Sequence, residues 1–231
     1  MNDLRANPAP LGLMGFGMTT VLLSFHNAGF LETDDLIIAM AIFYGGLAQV
    51  MAGLLEYRKG NTFGMTAFIS YGMFWLTLAY IILAGESETL TVGHDATFMG
   101  WYLFLWGLFT AYMFVATLYK NRALQVVFGS LTLTFWVLAI GDWMTAETVT
   151  NAAGYLGIFC GSSAIYLAAA EVLNETAGRT LLPVGPVEPS AAAAAPEIAV
   201  AEIAVAEMPP FEPTVEHPTE DELIESWRAD P

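Results

Sequence analysis

The sequence predicts an all-α membrane protein with six transmembrane helices and both termini on the cytoplasmic side. Three observations carry that expectation. The 231-residue chain is 56% hydrophobic and 13% charged, against about 25% charged in an average soluble domain. Its apolar residues fall into six runs, 9–30, 36–57, 63–84, 98–119, 123–141 and 151–173. Each is close to the ~20 residues that cross ~30 Å of hydrocarbon at ~1.5 Å per residue. Threading those runs back and forth puts all seven Lys and Arg residues (5, 58, 59, 120, 122, 179 and 228) on one side. The opposite loops, ETDD (32–35), GESETLTVGHD (85–95) and GDWMTAET (141–148), hold none, and basic loops mark the cytoplasmic face.

The first run, NPAPLGLMGFGMTTVLLSFHNAGF (7–30), is longer than a signal-peptide core and lacks a small-x-small cleavage site, so it is expected to remain as a span. Pro8 biases Asn7 towards an extended backbone. Proline is tolerated in a helix's first turn, where its missing N–H has no partner to lose. Asn7 is then placed to accept from nearby free N–H groups or to turn inward. The helix start itself carries partial positive charge that attracts a carboxylate.

Span two (FYGGLAQVMAGLLEY, 43–57) and span six (FCGSSAIYLAAAEVL, 159–173) share an aromatic residue, a glycine two positions on, small residues and a Glu near the cytoplasmic end. Span four (LWGLFTAYMFVATLY, 105–119) is a fainter version. Three related two-helix hairpins are one account of this. Small residues four apart, Ala48 and Ala52, then Ala153, Gly157 and Gly161, predict helix backbones in close approach.

The spans have no Lys, Arg, Asp, Glu or His near their centres, so the usual hardware of a proton relay or a fixed cation is missing there. Glu56, beside Arg58 and Lys59, reads as an interfacial charge. What remains at depth is uncharged: Thr19 and Thr20, which can bond to their own helix, and Gln49, whose amide cannot be satisfied on its own helix and must face a partner or a wet cavity. Phe16 between two glycines, and Tyr71 followed by Gly72, suit either a narrow aromatic gate that acts by dewetting or an ordinary knob in a packed core.

Residues 183–231 hold eleven acids against one base, Arg228, in a segment rich in Ala, Pro and Glu. The expected organisation is a membrane domain over 1–182 and an acidic cytoplasmic tail over 183–231. Most of the formal charge of −16 belongs to that tail, and no basic footprint for nucleic acid exists. No nucleophile–base pair, phosphate loop or metal-ligand spacing stands out; His26, His94 and His217 are unmatched, so no enzyme, cofactor or metal is expected.

NPAPLGLMGFGMTT (7–20), FYGGLAQVMAGLLEYRKGNTFGMTAFISYGMFW (43–75) and GSSAIYLAAAEVLNE (161–175) together strongly resemble the acetate uptake transporter family, over about residues 5–184. The resemblance implies a homohexamer with one pore through each six-helix protomer, in a prokaryotic cytoplasmic membrane. It implies acetate and, less well, succinate or related short carboxylates as substrates, moved by an anion channel or by proton symport. Matched motif to motif, it places Phe16, Tyr71 and Leu131 at a hydrophobic constriction and Ala164 where substrate size is tuned. Asn7, Thr19, Thr20 and Gln49 are the polar pathway candidates. A urea or short-amide channel of similar hexameric plan is the alternative, and a scaffold whose acidic tail recruits a partner is a third.

Overall fold

A computed structural model describes residues 6–32, 34–86 and 95–187. The acidic tail beyond Val187 and most of the loop around His94 lie outside the described residues. Six helices among the described residues are long and apolar enough to cross a membrane. They are α1 (Ala9–Asn27), α2 (Asp35–Arg58), α3 (Thr62–Glu86), α4 (Ala96–Thr117), α5 (Arg122–Met144) and α6 (Glu147–Ala177).

The helix starts follow from local chemistry. Asp34 and Asp95 cap α2 and α4 by accepting from Leu36 N–H (2.8 Å) and Thr97 N–H (2.9 Å). Asn61 and Asn121 cap α3 and α5 by accepting from Gly64 N–H (3.2 Å) and Leu124 N–H (2.8 Å). Acidic caps therefore sit at one end of the bundle and amide caps at the other. The amide end also carries Arg58, Lys59, Lys120, Arg122 and Arg179, and is called the basic end below.

Two elements differ from the sequence expectation. The last loop, expected over 141–148, shrinks to Thr145 and Ala146, with Thr145 in the left-handed region (φ 47°, ψ 42°). Trp143 keeps α5 helical to Met144: its ring lies 5.0 Å from that of Trp101, and its indole N–H donates to the Thr97 carbonyl (3.3 Å). Charges at 142 and 147 fit a helix that projects past the apolar belt. The second difference is in α2, where Ala41–Ala48 is π-helical between α-helical Asp35–Met40 and Gln49–Arg58. A π turn holds one extra residue, and such bulges favour functional sites. Aligning Phe43 with Phe159 leaves Glu56 one residue later than Glu171; the extra π residue brings the two glutamates back into phase.

The helices close into a ring. α1 packs between α2 and α6, α6 against α5, α5 against α4, and α2 against α3. The α1–α6 seam is backbone-tight, as the small-residue stripe predicts: a Cβ on Gly17 would meet the Gly161 carbonyl at 2.8 Å, and one on Gly161 the Gly17 carbonyl at 2.7 Å. Ala153 and Gly157 are buried in α6 near this seam. Between α3 and α4 the backbones barely approach. Large rings fill that gap instead, with Phe74–Trp106 at 5.2 Å, Tyr71–Phe109 at 5.3 Å and Phe74 stacked on Tyr102 at 5.8 Å.

Past α6, Gly178 (φ 61°) ends the helix in the left-handed conformation. The chain then returns to the start of α5. Gly185 and Val184 carbonyls accept from Arg122 N–H (2.7 Å) and Ala123 N–H (3.1 Å), and Val187 N–H donates to the Lys120 carbonyl (2.9 Å). Residues 183–187, which the composition assigns to the tail, are thus strapped to the helical bundle.

Candidate permeation path

A cavity of about 250 Å³ opens at the basic end, with Asn7, Glu56, Lys59, Lys120, Asn121 and Glu171 in its wall. Three helix starts contribute to its wall. α1, α3 and α5 all begin here, and each has an asparagine accepting from its first turn: Asn7 takes Ala9 N–H (3.3 Å), Asn61 takes Gly64 N–H and Asn121 takes Leu124 N–H. An aspartate in those places would neutralise the positive helix ends; an amide satisfies the same N–H and leaves the field for an incoming anion.

Two of the even helices, α2 and α6, bring a glutamate to the same cavity near their ends, each held by the asparagine of a neighbouring start. Asn61 Nδ2 donates to Glu56 Oε2 (2.7 Å), and Asn7 Nδ2 donates to Glu171 Oε2. Lys59 Nζ donates to Asn7 Oδ1 (2.8 Å), and Lys120 Nζ lies 4.8 Å over the Phe63 ring. Glu56 is fully buried, and among the described residues its Oε1 has no hydrogen-bond partner. This corrects the reading of Glu56 as an interfacial charge. The proximity of Arg58 and Lys59 in sequence suggested exposure, but Gly64 leaves room for the carboxyl against the first turn of α3: a Cβ there would lie 2.9 Å from Glu56 Cδ.

Beyond the cavity the path narrows to a pocket of about 20 Å³, lined by Leu13, Phe16, Gln49, Tyr71, Phe128 and Leu131. Leu13, Ala67, Phe68 and Phe128 border both spaces, so the pocket continues the cavity inward. A volume of about 20 Å³ is on the order of one water, smaller than any carboxylic acid. The three residues expected at a constriction, Phe16, Tyr71 and Leu131, therefore meet at one place; Phe16 and Tyr71 stand 5.8 Å apart, ring to ring. Gln49 joins them, 1% exposed, with Oε1 unpartnered among the described residues.

The remaining candidates fall elsewhere. Asn7 is in the cavity wall. Ala164 is fully buried in the cluster that contains Phe16, Tyr71 and Leu131, but is not among the pocket-lining residues. Thr20 donates back to the Phe16 carbonyl (2.7 Å), and Thr19 reaches the Met40 carbonyl (3.4 Å), where α2 enters its π-helical segment. Neither threonine borders the cavity or the pocket. Sequence reasoning missed the cavity set of Lys59, Asn61, Lys120 and Asn121. A signal existed: Tyr57-Arg-Lys-Gly-Asn61 and Tyr119-Lys-Asn121 follow the second and fourth spans in the same order.

The arrangement offers binding and filtering, with no reacting centre. Among the described residues no group of His, Cys, Asp and Glu has the spacing to hold a metal ion.

The chain is 59% identical to the succinate-acetate/proton symporter SatP of Escherichia coli strain K12 over 184 residues, covering 80% of this chain and 97% of that one. It is 35% identical to acetate permease A of Emericella nidulans over 195 residues, covering 78% of this chain and 65% of that one. The solved structure of the bacterial acetate channel SatP matches with a TM-score of 0.77 at 59% identity, covering 78% of this chain and 99% of that chain. A family model described as the GPR1/FUN34/yaaH family matches residues 2–188, and the chain, with six membrane-capable helices among its described residues, belongs to that family.

Proposed function

We propose that this protein passes acetate and related short carboxylates, succinate among them, across a prokaryotic cytoplasmic membrane. The observation that carries the reading is the taper itself. A cavity with two lysines, two asparagine-held glutamates and three helix starts leads into an apolar pocket of about 20 Å³ between Phe16, Tyr71 and Leu131. Lysine and helix-start N–H donors at the mouth offer hydrogen bonds to an anion; the apolar ring admits only small solutes with little polar surface. The names of the relatives, a succinate-acetate symporter, an acetate permease and an acetate channel, support the same substrate class.

In this reading the basic end faces the cytoplasm and each protomer has its own path. Exposed apolar residues such as Phe43, Phe98 and Tyr119 meet lipid or neighbouring protomers of a homohexamer. Phe16, Tyr71 and Leu131 form the constriction, Ala164 sets its size from behind, and Asn7 and Gln49 are the polar contacts along the way. Thr19 and Thr20 shape α1 around Phe16.

Flux into proteoliposomes tests this, with acetate, succinate and urea compared against protein-free vesicles. Protein-dependent acetate flux, with succinate weaker and urea excluded, is the expected result. Movement of urea or acetamide with no short acid transported sinks the carboxylate reading and favours a short-amide channel.

A further inference from the structure

Two glycines beside the constriction rings face the backbone of another helix. A Cβ on Gly15 would lie 2.6 Å from the Tyr44 carbonyl oxygen, and one on Gly72 would lie 2.9 Å from the Gly46 carbonyl oxygen. Both carbonyls belong to the π-helical segment of α2. Gly45, between them, is pressed from the same two sides: a Cβ there would meet Thr19 of α1 and Trp75 of α3, each at 2.9 Å. Gly15 directly precedes Phe16, and Gly72 directly follows Tyr71. The π-helical segment therefore stands between α1 and α3 at the level of the two rings.

Adjacent side chains on a helix are turned from each other by about 100°. Glycine at 15 or 72 thus presents bare backbone to α2, while the neighbouring ring is aimed at the pocket that Phe16 and Tyr71 share with Leu131. The segment packs against both α1 and α3. A π turn, closed by i→i+5 bonds, is also wider than an α turn. At this height the spacing of α1 and α3 is set by the backbone of α2, at two points of carbonyl contact. Such packing transmits a displacement and does not absorb it.

We propose that Gly15 and Gly72 are positioning residues for the constriction: their closure onto the π-helical carbonyls sets the gap between Phe16 and Tyr71, and with it the largest acid that passes. This rests on the constriction reading above and names what fixes its bore. A methyl on either glycine forces its helix away from α2 by roughly 0.5–1 Å before the carbon and oxygen reach ordinary contact. Because α2 stands between the two helices in the ring, either displacement adds to the separation of α1 and α3. The rings, 5.8 Å apart between centroids, then part, and bulkier acids enter. The π-helical segment is a spacer, and the two glycines are the surfaces it bears on.

The test is uptake of lactate relative to acetate in proteoliposomes carrying wild-type protein, Gly15→Ala or Gly72→Ala, with protein-free vesicles as baseline. Each variant is expected to raise the ratio at least about threefold, part of the roughly tenfold or more that room for one methylene is worth in a fitted pocket. Gly141→Ala is the structural control. Its methyl would meet Thr150 Oγ1 at 2.6 Å, about 15 Å along α5 from Leu131. It is expected to lower the unfolding temperature in detergent and leave the ratio alone. An unchanged or lowered ratio in either glycine variant at the constriction overturns the proposal. So does an equal rise in Gly141→Ala, which makes the change a general loosening. Leu131→Ala, measured alongside, separates the two readings. A raised ratio there with none in Gly15→Ala and Gly72→Ala sinks the spacer and leaves the constriction standing. No change in any of the three sinks the constriction reading, and this proposal with it. If Gly72→Ala does not reconstitute, Gly72→Ala with Val50→Ala takes its place: Val50 Cγ2 is the atom nearest the added methyl (2.7 Å), and its removal leaves the backbone contact as the obstacle. The Gly72 substitution decides alone if Gly15→Ala does not reconstitute, because each carbonyl contact is a separate prediction.

Discussion

The Tyr71 hydroxyl lies 2.9 Å from the Thr110 hydroxyl, and Thr110 also sits 2.7 Å from the Trp106 carbonyl. Each hydroxyl has a single hydrogen. Thr110 gives its hydrogen to Trp106, so Tyr71 donates to Thr110. The one hydrogen on the constriction's largest ring is thereby turned towards α4, leaving the ring face for Phe16 and Phe128.

Removing that acceptor frees the ring. Thr110→Val keeps the shape of the side chain and leaves the buried Tyr71 hydroxyl unpaired, an expected loss of about 1–3 kcal/mol. Tyr71→Phe removes the donor as well and leaves Thr110 bonded to Trp106, so it is expected to cost under about 1 kcal/mol. Thermal unfolding in detergent gives the ranking. Uptake of lactate relative to acetate should rise in Thr110→Val; an unchanged ratio shows that the bond does not set the bore.

Leu131→Ala and Ala164→Gly are each expected to admit bulkier acids such as lactate. Leu131 is 4% exposed and Ala164 fully buried, both in the same apolar cluster. The first change carries a cavity cost of about 2–5 kcal/mol, so only protein that remains folded and reconstituted is scored. An unaltered size cut-off in both variants removes these residues from the filter.

The α1–α6 seam makes a prediction about additivity. Gly17→Ala and Gly161→Ala each force a methyl against the other helix's carbonyl, at an expected cost of about 1–3 kcal/mol. Once one substitution has pushed the helices apart, the second meets less resistance. The double variant is therefore expected to cost less than the sum of the two, by about 0.5 kcal/mol or more. Strict additivity in a double-mutant cycle contradicts the mutual close approach.

Asn61 and Asn121 have the same capping geometry but different second duties. Asn121→Ala should cost about 1 kcal/mol, the value of the cap alone. Asn61→Ala also strips the buried Glu56 carboxyl of its amide partner, for an expected total of about 2–4 kcal/mol. Placing both variants in a Glu56→Leu background should bring the two costs together. A gap that persists there assigns the excess to something other than Glu56.

Much of this molecule is legible in its sequence because lipid enforces simple rules. Six apolar runs become six helices, and the bases among the described residues gather at one end of the bundle. Phe16, Tyr71 and Leu131, matched by motif, meet around one pocket. What the sequence hides are effects of register and tertiary approach. The π-helical segment leaves no compositional mark beyond a one-residue offset between Glu56 and Glu171. The burial of Glu56 depends on Gly64, from the next helix, leaving space for its carboxyl. Thr19 and Thr20 show the converse. Their polarity suggested a lumen, yet a hydroxyl on a helix is satisfied by a nearby carbonyl and needs no water.

The contrast between the two kinds of seam has a consequence for how such proteins diversify. Where α1 meets α6, carbonyl opposes glycine, and almost any larger residue is refused. Where α3 meets α4, large rings and the Tyr71–Thr110 hydrogen bond span the space, and side chains rather than backbones set the fit. Inheritance can therefore hold the barrel constant at the first seam while trying new bores at the second. A lineage can change what it admits without first relearning how to fold.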